Sequence, residues 1–368
     1  EDGQDYPLYY SFGILWKSYY IPLVPPKLSE SLNTKLFPGT NEIFGAVCDS
    51  LWTCRYYKKT ITVGSTSYRV LESQAVSESF LEDIRNPEMV PGVSLLYSES
   101  LELDQESFST VMRELSSFVQ AQQELSELTF MATMGAVSSL ASQSSLADPS
   151  ELLGIISSLL EFDLDFKEDQ VLIVLETIDA LMLKSAQSNL VLESSQSLIS
   201  KALTKSFKDS LPGNGPQQLE YGNLTTYRET IQNLQNTQIS LSDLQLELPD
   251  SLPFSSDQIV DLELTRYEKL GNYSDLVDLS FYTGGTYSNF DLNLEDKTLY
   301  PLKDLSDPIS IEIPFHKSQS DWECVYLVDG NWVQTGCQVV EVYNSSVKVN
   351  LTHTSMFTLR PLNSEIQI

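Results

Sequence analysis

The sequence predicts an α+β chain: a β-rich N-terminal region, then a helical-bundle subdomain, then a β-sandwich subdomain. Three observations predict it. Residues 1–95 are aromatic and turn-rich, residues 100–205 repeat apolar side chains at helical spacing, and the C-terminal part alternates apolar with polar residues in short runs. The boundaries fall at 1–95, 96–210 and 211–368, and 368 residues suit two or three domains, each long enough to bury a core.

In the first region Tyr6, Tyr9, Tyr10, Phe12, Trp16, Tyr19 and Tyr20 precede Pro22, Pro25 and Pro26. These aromatics suit a packed β core. The stretch TITVGSTSYRVL (60–71) reads as two strands around a Gly-Ser turn. Further on, Phe108, Val111, Met112, Leu115, Phe118 and Val119 recur at i, i+3, i+4 and make one apolar helix face. Asp148-Pro149-Ser150-Glu151 is a helix start, with an Asp N-cap, Pro in the first turn and Glu at N3. It launches Leu152, Ile155, Ile156, Leu159 and Leu160. A third run holds Val171, Leu172, Val174, Leu175, Ile178, Leu181 and Met182, and a fourth Leu190, Leu198, Ile199, Ala202 and Leu203. The Pro/Gly break at 206–220 ends the helical block. After it, Ile309, Ile311 and Ile313 alternate with Ser310 and Glu312 as a half-buried strand does, Asp329-Gly330-Asn331 reads as a tight hairpin turn, and 339–343 and 347–351 read as strands.

Composition narrows the function. The net charge is −29, from 51 acidic and 22 basic residues. That argues against nucleic acid and against an anionic membrane surface. Acidity keeps a chain soluble. It also raises loose calcium binding, although no DxDxDG-type loop is present and two histidines are few for a metal site. No metal ligands and no cofactor are therefore expected. The four cysteines pair by spacing, Cys48 with Cys54 around Trp52 and Cys324 with Cys337. N-x-S/T sequons stand at Asn223, Asn272, Asn344 and Asn350, and with the cysteines they imply a secreted or cell-surface, glycosylated chain. The chain opens on Glu1, so a trimmed piece of a longer protein is expected. A Ser-His-acid hydrolase would need a G-x-S-x-G-like elbow, and none occurs.

The most informative stretch runs from Trp322 to Leu362. Val347, Val349, Leu351, His353, Ser355 and Phe357 share one face of an extended strand, so His353 stands where the pattern expects a core hydrophobe. Side chains two apart on a strand lie about 6.6 Å apart, whereas direct proton transfer needs about 2.6–3.2 Å. For His353 to reach Ser355 the backbone must kink. A kink also strains the Thr354–Ser355 peptide, so strain, a base and a hydroxyl meet at one bond, as an N→O acyl shift requires.

W-E-C at 322–324, W-x-x-x-G-C at 332–337 and H-T-S-M-F at 353–357 together resemble the proteolysis site of the GAIN domain, the juxtamembrane module of adhesion G-protein-coupled receptors and polycystin-like proteins. Trp332, Gly336 and Cys337 match its central block, Cys324 its first cysteine, His353 its general base, Ser355 its nucleophile and Phe357 the aromatic that follows. The resemblance implies a helical subdomain followed by a β-sandwich, cleavage between Thr354 and Ser355, and the strand Ser355–Leu362 retained as a noncovalent partner. It also implies binding to other extracellular proteins or matrix. The family's Cys-x-Cys before the histidine is replaced by Val347 and Val349, which leaves Cys324 to pair with Cys337 across a hairpin. Thr354 stands where Leu is common. The competing reading is an uncleaved structural glycoprotein of a surface coat or filament.

Overall fold

The computed structural model of the chain describes residues 7–361 apart from 17–18, 24–26, 33–35, 37–38, 51–52, 64–79, 85–86, 101–102, 144–147, 165, 186–187, 207–214, 233, 235–236, 255–257, 269–274, 284–285, 289–290, 294–297, 301 and 315–320. The fold is α+β: a β-rich N-terminus, helices in the middle, and antiparallel sheets through the C-terminal half. Contacts divide the chain into two units, Glu1–Leu181 and Met182–Ile368.

In the first unit β1 (Tyr9–Trp16), β2 (Tyr19–Pro22), β3 (Gly39–Cys48) and β4 (Cys54–Val63) form an antiparallel sheet in the order β2-β1-β3-β4. Cys48 and Cys54 face each other in register at the β3–β4 turn, 4.0 Å apart at Cα, and are bridged by a disulfide. The first strand expected within 60–71 is the end of β4. The turn and second strand, like Trp52, lie outside the described residues.

Helices α1 (Val90–Ser100), α2 (Gln105–Ala121), α3 (Glu127–Ser142), α4 (Pro149–Leu160) and α5 (Glu168–Lys184) follow. α1 begins inside the segment read as β-rich, with its Pro91 in the first turn, where a missing N–H costs nothing. The six apolar residues expected on one face of α2 are buried, and the Asp104 side chain caps its start by accepting from Ser107 N–H at 2.9 Å. Asp148 does the same for α4, accepting from Ser150 N–H at 2.9 Å. α3 is buried on every side from Phe130 to Ala141, which explains its lack of an amphipathic pattern. A side chain at its Gly135 would stand 3.2 Å from Leu95 and 3.5 Å from Trp16, so α1, α3 and β1 close on one core.

The second unit opens with α6 (Asn189–Ser206). Leu190, expected on its apolar face, is instead 71% exposed, and Val191 and Leu192 take the buried positions. Strands β5 (Gln217–Tyr221), β6 (Leu224–Gln232), β7 (Gln238–Leu241), β8 (Leu244–Glu247), β9 (Ile259–Tyr267) and β10 (Leu276–Thr283) come next. They are followed by β11 (Thr286–Ser288), β12 (Asp291–Asn293), β13 (Thr298–Leu299), β14 (Ile309–Pro314) and β15 (Trp322–Val328). The last are β16 (Asn331–Val333), β17 (Cys337–Val342), β18 (Ser346–Leu351) and β19 (Met356–Pro361). The larger sheet has the order β16-β15-β19-β10-β9-β6-β5, with β13 on β10; the smaller has β17-β18-β14-β8-β7; β11 and β12 pair separately. Alternate residues of both sheets, Leu262, Leu264, Val277 and Phe357 from one and Ile309, Ile311, Val347 and Val349 from the other, share one buried cluster, which makes the pair a sandwich.

The opposite face of the large sheet meets α6 through polar groups. Gln196 Nε2 donates to Asp278 at 2.7 Å, Ser200 Oγ to Glu263 at 3.4 Å, and Arg228 Nη1 to Thr204 at 3.2 Å. Beneath them Arg228 and Asp261 form an ion pair at 2.8 Å, each side chain only 2% exposed. The pair joins two neighbouring strands of the large sheet, and a buried pair of this kind adds little net stability.

Candidate functional site

The alternation read from Val347 onward holds through Leu351 and then stops. Val347, Val349 and Leu351 are buried in β18, residues 352–355 bend and are half-buried, and Met356 opens β19. Because β18 belongs to the small sheet and β19 to the large one, these four residues carry the chain from one layer of the sandwich to the other. His353 and Ser355 sit in that crossing, outside any strand.

Hydrogen bonds hold the crossing from both sides. Thr352 N–H donates to Gly336 O at 2.9 Å and its carbonyl accepts from Leu305 N–H at 2.9 Å. Thr354 N–H donates to Leu302 O at 3.2 Å, and Thr354 Oγ1 accepts from Leu302 N–H at 3.2 Å. Ser355 O accepts from Leu279 N–H of β10 at 3.4 Å. The residues on either side of the Thr354–Ser355 peptide are thus held, Thr354 by Leu302 and the Ser355 carbonyl by the large sheet. The Thr354 hydroxyl serves that clamp. Ser355 Oγ donates to Met356 O at 3.3 Å.

The His353 ring packs against Tyr326, centroids 4.0 Å apart and planes inclined by 60°. Gly336, at φ +87°, lies against its other atoms: a Cβ there would come within 2.6 Å of His353 Nδ1 and 2.9 Å of Thr352 Oγ1. Only glycine meets both demands, a left-handed backbone and the close approach. Burial pushes the imidazole below its ordinary pKa, partly offset by the Asp304 carboxylate. The ring is therefore neutral at pH 7 and able to accept a proton. An open cleft of about 850 Å³ runs along the crossing, with Lys303, Asp304, Gly336, His353, Thr354 and Ser355 on its wall.

The residues ahead of the crossing frame it. Asp329 and Gly330, at φ +47° and +72°, make a two-residue turn between β15 and β16, the geometry that matches strand twist. Trp332 Nε1 donates to Asn189 Oδ1 at 3.0 Å, Asn189 Nδ2 to Gly330 O at 2.8 Å, and Gly330 N–H to Glu193 at 2.7 Å, so the hairpin is docked on the first turn of α6. The Cys324–Cys337 disulfide joins β15 of the large sheet to β17 of the small one, rather than two strands of one hairpin. Cys337 is registered with Leu351 and Cys324 with Leu359, so the bridge staples the neighbours of both strands that flank the crossing. Phe357 is 1% exposed and anchors β19 in the core.

Among the sequons, Asn344 is exposed in the β17–β18 turn and Asn223 is half-buried in the β5–β6 turn. Asn350 lies mid-strand, half-buried, with Oδ1 accepting from Ser310 Oγ at 3.2 Å. Asn272 lies outside the described residues. The described residues include no cluster of three His, Cys, Asp or Glu able to hold a metal ion, and none of their helices is long and apolar enough to cross a membrane. The two disulfides point to an extracellular or secreted chain. Leu302, Tyr326 and Asn189 were not singled out from the sequence, because each reaches the site across a distance in the chain that no local pattern encodes.

No protein-family model and no curated protein matches the chain.

Proposed function

We propose that the helical region 96–210 and the β-sandwich 211–368 are the two parts of a GAIN-like extracellular region, part of a cell-surface receptor or polycystin-like membrane protein, that severs its own Thr354–Ser355 bond and keeps the C-terminal strand in place. The observation that carries this reading is the crossing itself: a bent backbone between two sheets, held on both flanks of the Thr354–Ser355 bond, with an imidazole of lowered pKa at one side and a hydroxyl on the C-terminal residue. Ser355 Oγ attacks the carbonyl carbon of Thr354 and passes its proton to His353. The C–N bond then breaks, the proton moves to the departing amine, and the Thr354 carbonyl is left as an ester on Ser355. Water hydrolyses that ester to a Thr354 carboxylate and a Ser355 hydroxyl with a free α-amine. The chain's only substrate is its own backbone, and its first partner is the strand from Ser355 to Leu362. Contacts with other extracellular proteins or matrix, and a membrane tether beyond residue 368, belong to the same reading.

The step requires the hydrogen bond from Ser355 Oγ to Met356 O to break first. That same hydrogen bond favours the second reading, an uncleaved scaffold in a surface coat or filament. A denaturing gel separates the two. Cleavage yields a small fragment with Ser355 at its N-terminus, and His353→Ala or Ser355→Ala abolishes it; one intact band from the unmutated chain leaves the scaffold reading alone.

A further inference from the structure

Charge is distributed very unevenly along this chain. Residues 6–71 hold seven Lys and Arg against three Asp and Glu, net +4, whereas the rest hold 15 against 48, net −33. The positive charge gathers on β4, where no acidic residue occurs from Ser50 to Leu71. β4 lies at the end of the order β2-β1-β3-β4, and residues 55–60 are all exposed. Alternation along the strand puts Arg55, Tyr57 and Lys59 on one face. Tyr57 is 69% exposed, flanked by two cations about 13 Å apart at the usual rise of ~3.3 Å per residue. On the other face Tyr56 packs with Tyr20 at 4.7 Å, and Lys58 Nζ stands 5.0 Å over the Tyr20 ring. Among the described residues no carboxylate pairs with Arg55, Lys58 or Lys59.

We infer that this strand is a binding surface for a sulfated polysaccharide. An exposed tyrosine between two cations offers a flat apolar face to the C–H side of a sugar ring and a positive charge to the sulfates on either side. Screening lets the patch act despite the acidic remainder, because at about 0.15 M salt charges beyond ~8 Å are largely hidden. The excess acidity elsewhere confines a polyanion to this one sheet. The two disulfides place the chain where such polymers occur. The inference is independent of the crossing at 352–355.

The test uses the full chain and a heparin decasaccharide, by calorimetry in 150 mM NaCl. Binding is expected to weaken about tenfold in R55A/K59A and severalfold in Y57A, with unchanged circular dichroism. An Arg113→Ala control should bind as the unmutated chain does, and affinity should fall steeply as salt rises. Absence of binding, or equal binding by R55A/K59A, overturns the inference. Equal affinity for desulfated heparin, poly-glutamate or single-stranded DNA of matched length also overturns it, because general charge attraction would then suffice.

Discussion

Gly336 shows how much of the site one residue controls. Its φ of +87° and its approach to His353 leave no room for a Cβ. Gly336→Ala is expected to destabilise the unit by about 1–3 kcal/mol through backbone strain and to displace the imidazole. Chemical denaturation would read the first effect and loss of the Ser355 fragment the second; an alanine variant as stable and as fully cut as the parent would contradict the geometry. His353 sets the pH dependence. Its pKa is lowered, chiefly by burial, so the neutral base persists below the ordinary imidazole range and disappears only as pH falls through the depressed value. Cleavage on refolding should therefore be constant from pH 8 to pH 7 and decline in more acidic buffer. A decline beginning above pH 7 would mean that a different group takes the proton.

Among the elements, α6 and the sheet beneath it bury two carboxyls. Burial, the largest cause, raises Glu263 to about 7 and Asp278 to about 6; Arg228 opposes the shift at Glu263, while Ser280 and Gln196 oppose it at Asp278. Both folded values lie above those of an unfolded chain, near 4. Between the unfolded and folded values the native state holds more protons than the unfolded state, so stability falls as pH rises from about 4 to about 7 and is level above that. The change is on the order of a few kcal/mol for the two groups together. Urea midpoints at pH 5 and pH 8 would measure it, and Glu263→Gln should flatten the difference. A midpoint that rises with pH would show that these groups are charged at pH 5 in the folded chain.

For the whole molecule, the disulfide between the sheets decides what a cut releases. Cys324 and Cys337 both precede Thr354, so no covalent bond holds the strand after cleavage. Its retention then depends on pairing with β15 and β10 and on burial of Phe357 and Leu359. The fragment should come away on a denaturing gel without reductant yet co-elute under native conditions. Replacing both cysteines with serine is expected to cost on the order of 3 kcal/mol, read as a lower urea midpoint, because the closed loop spans 13 residues. An unchanged midpoint would mean that the strands alone hold the layers together.

Periodicity, caps and turn chemistry are local, and the chain declares them locally. The apolar face of α2, the Asp148 cap of α4, the alternation of Ile309, Ile311 and Ile313, and the Asp329-Gly330 turn were all legible, as were both cysteine pairs. Other features depend on neighbours distant in sequence. α3 shows no amphipathic stripe because it is buried on every side, and Leu190 fits a helical pattern that its surroundings do not use. That the bend falls where the chain changes sheets, that Leu302 clamps Thr354, and that Gly336 presses on the imidazole are consequences of packing. Sequence sets which residues can turn, cap or accept a proton; only the folded sandwich decides which of them meet.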